Sequence, residues 1–290
     1  MGNRSKESRI AYGVMTCIED VHMVDSSDKM PVLFIGHGSP MNVISENSFT
    51  EDIAKAARAL PKPNAIMVIS AHWLTPGSTQ VGCMEKPEII YDYYGFPPEM
   101  YNIQYPSPGS PKYAQLTTET VRTANVACNS DWGLDHASYT LLKHMYPKAD
   151  IPVFEMSLDY SYNDWKPKSL EYHYKLASEL KTLRENGVLI IGSGNIVHNL
   201  GILDRNTDAK PFDWAVKFDH QVKQRLLKRD HEALINYENF GEAALLGVPS
   251  LDHYLPMIYA VSLQQKDEPL RFIHEGFQNG SVSMRAFQIG

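Results

Sequence analysis

Cysteine is scarce in this sequence. Cys17, Cys83 and Cys128 are odd in number, far apart, and include no C-x-x-C pair. That pattern suggests neither a disulfide framework nor a thiolate zinc site, and it fits a reducing cytoplasm. Long apolar runs are also missing. Residues 188–191 are typical of those present, far short of the roughly 18–20 residues that span a bilayer. No dense Lys/Arg run occurs, and 27 basic against 34 acidic residues leave a net charge of −7. Nucleic acid and anionic membranes are therefore not expected as partners.

Several catalytic signatures are absent too. There is no H-E-x-x-H. Gly36-His37-Gly38-Ser39 is not the nucleophile elbow G-x-S-x-G, because the serine follows the second glycine. Gly192-Ser193-Gly194-Asn195 lacks the Lys and Ser/Thr of a phosphate-binding loop, and no dinucleotide fingerprint is complete. Zincin protease, serine hydrolase and nucleotide-dependent readings lose support. The first 29 residues carry no apolar core of a secretory leader. Met1-Gly2 does not open a myristoylation signal, since Lys6 stands where Ser or Thr is needed. This stretch reads as a poorly ordered extension ahead of one domain over 30–290.

What is present is a chain whose hydrophobic fraction of 43% suffices for one large core. Short apolar runs alternate with helical stretches, which predicts an α/β fold. Strands are expected at 31–36 (PVLFIG), 64–70 (NAIMVIS), 151–157 and 188–192 (VLIIG). Helices are expected at 48–60, 111–127, 168–186, 212–237 and 254–264, with one or two edge strands over 270–287. Residues 87–111 are crowded with Tyr and Pro. Proline excludes a long helix there, and so many aromatics do not suit a solvated loop. The stretch reads either as an ordered loop packed on the core or as a wall of an aromatic-substrate pocket.

The histidines, eleven in number, are informative by placement. His37 and His72 each directly follow an expected strand, and His198 lies shortly beyond a third. Ligands in open α/β sheets bind beyond the carboxyl ends of strands. A single histidine there is usually structural; three at equivalent positions, two of them flanked by glycine, point to one metal. His136 precedes a helix in Gly133-Leu134-Asp135-His136. His253 begins another, where Asp252 reads first as a helix cap. His144, His173, His220 and His231 read as surface residues of charged helices.

Taken together, F-I-G-H-G-S-P-M-N (34–42), S-A-H-W (70–73), Y-Y-G-F-P (93–97), G-L-D-H (133–136), G-S-G-N-I-V-H-N-L (192–200) and D-H-Y-L-P (252–256) resemble the class III extradiol ring-cleavage dioxygenases, in the branch similar to DOPA 4,5-dioxygenase. The resemblance runs from about residue 31 to the C-terminus. It implies a three-layer α/β/α domain with a central, largely parallel sheet and a metal at the carboxyl ends of its strands. It also implies His37, His72 and His253 as ligands, His198 at a further metal-site position, and His136 with His198 as acid/base groups. Tyr94, Phe96 and Ser39 fall in the substrate pocket. Better-studied ring-cleaving relatives place a glutamate where this chain has His253. The implied cofactor is one divalent metal, Fe²⁺ or Zn²⁺; an all-histidine set suits Zn²⁺ at least as well. The expected partners are a catechol and O₂, in a cytoplasmic monomer or small homo-oligomer. A zinc hydrolase, and a non-catalytic metal- or protein-binding module, stand as the other readings.

Overall fold

The computed structural model describes residues 29–160 and 169–290. The expected N-terminal extension lies, except for Lys29, outside them. The chain runs β1 (Val32–Gly36), α1 (Ser48–Arg58), β2 (Ala65–Thr75), β3 (Thr79–Gly82), α2 (Pro111–Thr120), β4 (Val126–Asn129), α3 (His136–Met145) and β5 (Val153–Asp159). It continues through α4 (Leu170–Ser178), α5 (Lys181–Glu185), β6 (Val188–Gly194), α6 (Asp213–Lys228), α7 (His231–Ile235), α8 (Glu242–Gly247) and α9 (Leu255–Ser262). It closes with β7 (Leu270–His274), β8 (Phe277–Gln278), β9 (Val282–Ser283) and β10 (Ala286–Ile289).

Eight strands form one sheet in the order β4-β3-β5-β2-β6-β1-β10-β7. The centre β5-β2-β6-β1 is parallel throughout. β10 and β7 add antiparallel, and β3 meets β5 antiparallel. The central strands read as unbroken apolar runs because both faces are buried. Along β1, Leu33 and Ile35 join Phe49, Ile53, Tyr139 and Leu142 of α1 and α3 on one face. Val32 and Phe34 join Leu176, Phe218, Val222 and Ile258 of α4, α6 and α9 on the other. The result is the expected three layers.

Several elements differ from expectation. The helix expected over 111–127 stops at Thr120, and Ala127 lies in β4. Val121, Thr123 and Val126 are β-branched and weak helix formers. The carboxylate of Glu179 accepts from the backbone N–H groups of Arg122 (2.6 Å) and Thr123 (2.9 Å), capturing the turn. The long helix expected to end at Asn186 is broken into α4 and α5, and that over 212–237 ends at Arg229, whose φ is 55°. β7 lies at the edge of the sheet as expected over 270–287, whereas β10 sits inside it between β1 and β7.

The cysteine reading is also corrected. Cys83 and Cys128 form a disulfide across 45 residues. They meet because β3 and β4 pair in parallel, Val81 opposite Cys128, a tertiary neighbourhood that spacing in the chain does not encode. His173 is corrected as well: it is fully buried, its Nδ1 2.9 Å from the Tyr259 hydroxyl. His144 and His231 are half-buried, and His220 is exposed as expected. No helix among the described residues is long and apolar enough to cross a membrane.

Candidate metal centre

β1 ends at Gly36 and delivers His37 directly beyond it. Gly38 then turns the chain at φ 62°, where an added Cβ would lie 2.6 Å from the Met284 sulfur. Ser39 follows as the cap of a 3-10 turn, accepting from the Met41 N–H at 3.2 Å. His72 lies within β2 rather than after it, where pairing with β5 is irregular between Ile69 and Leu74. His253 stands just before α9, and its carbonyl accepts from the Asn195 N–H at 2.8 Å. An added Cβ on Gly194 would come within 2.2 Å of that carbonyl, so only glycine lets the end of β6 and the His253 segment approach. His136 is the first residue of α3, capped by Asp135.

These elements bring imidazoles from three distant parts of the chain together. His37, His72 and His253 each present a nitrogen within 4.8 Å of the others. Nε2 of His37 and Nε2 of His72 are 3.2 Å apart, close to the roughly 3.3 Å edge of a tetrahedron with arms of about 2.0–2.1 Å, as in zinc–imidazole sites. Burial first, and then the surrounding imidazoles, hold His37 and His72 well below the ordinary histidine value. The neutral form that results is the metal-ligating one. Both ring nitrogens of His253 are buried without a hydrogen-bond partner. Such orphaned donors and acceptors are costly unless something coordinates them. The donor set fits a divalent transition metal.

His198 stands apart from that trio. Its ring stacks on His253 with centroids 3.5 Å apart and planes 7° from parallel. Burial, then His253, lowers its pKa. Asp252 is not the cap of α9, which has no side-chain cap. Instead its Oδ1 accepts from Ser250 Oγ (2.7 Å) and the His253 N–H (2.9 Å), while Oδ2 lies 3.4 Å from His253 Nδ1. Burial works to raise its pKa, but His253, Ser250 and His198 outweigh this and hold the carboxyl well below its usual range.

Two partners of the histidines escaped the reading of the sequence. Asp92, in the Tyr/Pro-rich loop, has Oδ1 and Oδ2 at 2.9 and 2.8 Å from His136 Nδ1. Its Oδ2 is also 3.4 Å from His72 Nδ1. Ser193 of β6 meets His37 Nδ1 at 3.1 Å and donates to the Ala137 carbonyl at 2.7 Å. A lone acid among Tyr91, Tyr93 and Tyr94 was the available signal for Asp92; Ser193 had none. Beneath them Asp135 and Glu155 are buried carboxyls whose pKa values burial raises.

The histidines open into a cavity of about 650 Å³. Ser39, Tyr94 and Phe96 all line it, together with Tyr93, Leu200 and Leu203. The Tyr/Pro loop packs on the core and also lines this cavity. Tyr93 and Tyr105 are buried and pack on the α3 side of the core, while the Tyr94 ring is 92% exposed at the mouth.

A family model described as the catalytic LigB subunit of aromatic ring-opening dioxygenase matches residues 31–283. The chain is 40% identical over 277 residues to a 4,5-DOPA dioxygenase extradiol of Escherichia coli K12, covering 94% of this chain and 98% of that one. It is 32% identical over 262 residues to a 4,5-DOPA dioxygenase extradiol of Beta vulgaris, covering 88% and 94%. The crystal structure of an uncharacterized protein from Escherichia coli K12 superposes with a TM-score of 0.77 at 37% identity, covering 90% of this chain and all of that one.

Proposed function

Because this chain belongs to the family of the catalytic LigB subunit of aromatic ring-opening dioxygenases, and so is a metal-dependent, non-haem extradiol enzyme, we propose that its substrate is a DOPA-like or related catechol and that His37, His72 and His253 hold its metal. The observation that carries this reading is the convergence of three imidazoles, two of them kept neutral by burial, on the floor of an aromatic-walled cavity. Fe²⁺, when bound, supplies open positions for a catechol and O₂ together with the redox capacity that Zn²⁺ lacks.

The remaining work falls to the chain's own groups. Extradiol cleavage needs a base for a catechol proton and an acid to return one, a pair worth about 10²–10⁴-fold in rate. His136 serves as one, its Nδ1 held by Asp92 and its Nε2 left for proton transfer. His198, stacked on His253 and kept neutral by burial, serves as the other. Phe96 and Tyr94 pack on the substrate ring, Ser39 faces it from the β1 side, and Leu200, Leu203 and Val282 limit water.

Protein reconstituted with Fe²⁺ under anaerobic conditions and then given DOPA or a related catechol with ¹⁸O₂ tests this. The expected product is a yellow ring-opened semialdehyde carrying both labelled atoms. Activity with Zn²⁺ alone on esters or amides, unaffected by removing oxygen, would overturn it.

A further inference from the structure

We propose that Asp92 is a positioning residue that sets two histidines at once. It holds both His72 and His136 in the Nδ1–H tautomer, so that each presents Nε2 to the reacting centre. The roles of His72 as ligand and His136 as proton-transfer group rest on the function proposed above.

A carboxylate only accepts hydrogen bonds, so a ring nitrogen facing it carries a proton. Asp92 Oδ2 is 2.8 Å from His136 Nδ1 and 3.4 Å from His72 Nδ1. Oδ1 also accepts from the His136 backbone N–H at 3.1 Å, at the first residue of α3. One oxygen therefore faces the Nδ1 atoms of two rings whose centroids are 4.0 Å apart. Turning either ring over would set a carbon against the carboxylate. With Nδ1 so occupied, His72 is left with the nitrogen that lies 3.2 Å from His37 Nε2. A ligating histidine whose other nitrogen donates to a carboxylate is a recurrent arrangement in metal sites.

Asp92 is itself held from behind. The backbone N–H groups of Ile90 and Leu134 donate to the carbonyls of Leu134 and Glu88, each at 2.8 Å. The hydroxyls of Tyr91 and Tyr93 donate to the carbonyls of Ile103 and Met100, also at 2.8 Å. The Tyr139 hydroxyl of α3 donates to that of Tyr93 at 2.8 Å, tying the loop to the helix that begins with His136. The segment that supplies Tyr93, Tyr94 and Phe96 to the cavity thus also supplies the carboxylate that orients the metal-side rings. Substrate wall and proton-transfer group are set by one rigid loop.

His72, Asp92 and His136 also form a trio whose ligand atoms lie within 4.8 Å of one another. A cation there would take a second nitrogen of His72 and displace the proton already placed between His136 and the carboxylate. The short hydrogen bonds between His136 Nδ1 and Asp92 favour positioning over a second metal.

The test uses full-length protein with ¹⁵N-labelled histidine, kept metal-free for the tautomer spectra because Zn²⁺ on Nε2 would by itself fix His72 as Nδ1–H, and needs no catechol. Long-range ¹H–¹⁵N spectra of the unmodified protein should show His72 and His136 as Nδ1–H tautomers; Nε2–H on either ring would overturn the proposal. In Asp92→Asn, the two rings should become tautomer mixtures and Zn²⁺ affinity, read by chelator competition, should fall about 10–100-fold. Asp92→Glu should recover part of both. Unchanged tautomers and affinity in the Asn variant, or two Zn²⁺ per chain of which one disappears with Asp92, would overturn it. If the Fe²⁺ enzyme turns over, Asp92→Asn should lower kcat and leave KM nearly unchanged. Failure to cleave any catechol with the spectra as expected would overturn the substrate reading and leave the positioning role standing.

Discussion

Both nitrogens of His253 are buried without a hydrogen bond, Nδ1 facing only Asp252 Oδ2 at 3.4 Å, and an orphaned buried group costs about 1–3 kcal/mol. Metal coordination relieves that cost, so the native state gains stability by mass action when metal binds, about 4 kcal/mol at a thousandfold excess over Kd. Thermal unfolding with and without Zn²⁺ should show a clear rise in Tm for the parent and little or none for His253→Leu. Equal shifts in the two would contradict the ligand role. His173 makes a different residue-scale case. Burial lowers its pKa to about 4, against about 6.5 in an unfolded chain. Below about pH 6.5 the unfolded chain binds a proton that the folded one does not. Stability therefore falls as pH drops toward 4 and levels off below it, by roughly 3 kcal/mol from this group. Urea unfolding of His173→Gln should show a smaller loss between pH 7.5 and pH 5 than the parent. An equal loss would contradict a buried neutral His173. Neither the depth of His173 nor the orphaned state of His253 was legible in the chain, where both stand among ordinary polar neighbours. The strand-end positions of His37 and His198 were legible, because a glycine and a short apolar run precede each.

At the scale of elements, the site depends on how closely the end of β6 approaches the segment before α9. Gly194→Ala would thrust a Cβ against the His253 carbonyl, backbone against backbone. The expected outcome is retained α/β circular dichroism with at least a tenfold loss of metal affinity, read by chelator titration. Parent-like affinity would show that the contact does not position His253. β1, β2, β5 and β6 were legible because parallel strands buried on both faces are written as continuous Val, Ile, Leu, Met and Phe. β3 and β4 span four residues each and carry no such run. The turn after α2 is set by Glu179, 56 residues beyond Thr123, which no local pattern reveals.

Over the whole molecule, one buried guanidinium joins distant parts of the chain. Arg184 of α5, fully buried, donates to the carbonyls of Met30 (2.8 Å) and Leu263 (2.7 Å) and to Glu268 through two nitrogens, at 3.1 and 2.6 Å. Replacing Glu268 by Gln leaves that cation without its counter-charge, a change that costs about 3–5 kcal/mol in buried pairs. Denaturant unfolding should show a loss of that order, and a loss below about 1 kcal/mol would mean that the backbone carbonyls alone satisfy Arg184. The α/β class was legible from the alternation of elements, and its three layers from the family resemblance. The disulfide and the Asp92 contacts were not, since they exist only once the sheet is assembled.

The proposed chemistry requires that imidazoles from β1, β2 and the segment before α9 meet on one cation. Anomalous diffraction from crystals of the metal-loaded protein, recorded on either side of the metal absorption edge, locates that cation without reference to any activity. A single peak is expected about 2.0–2.2 Å from a nitrogen of each of His37, His72 and His253. No peak there, or a peak among His72, Asp92 and His136 instead, would rule the shared site out.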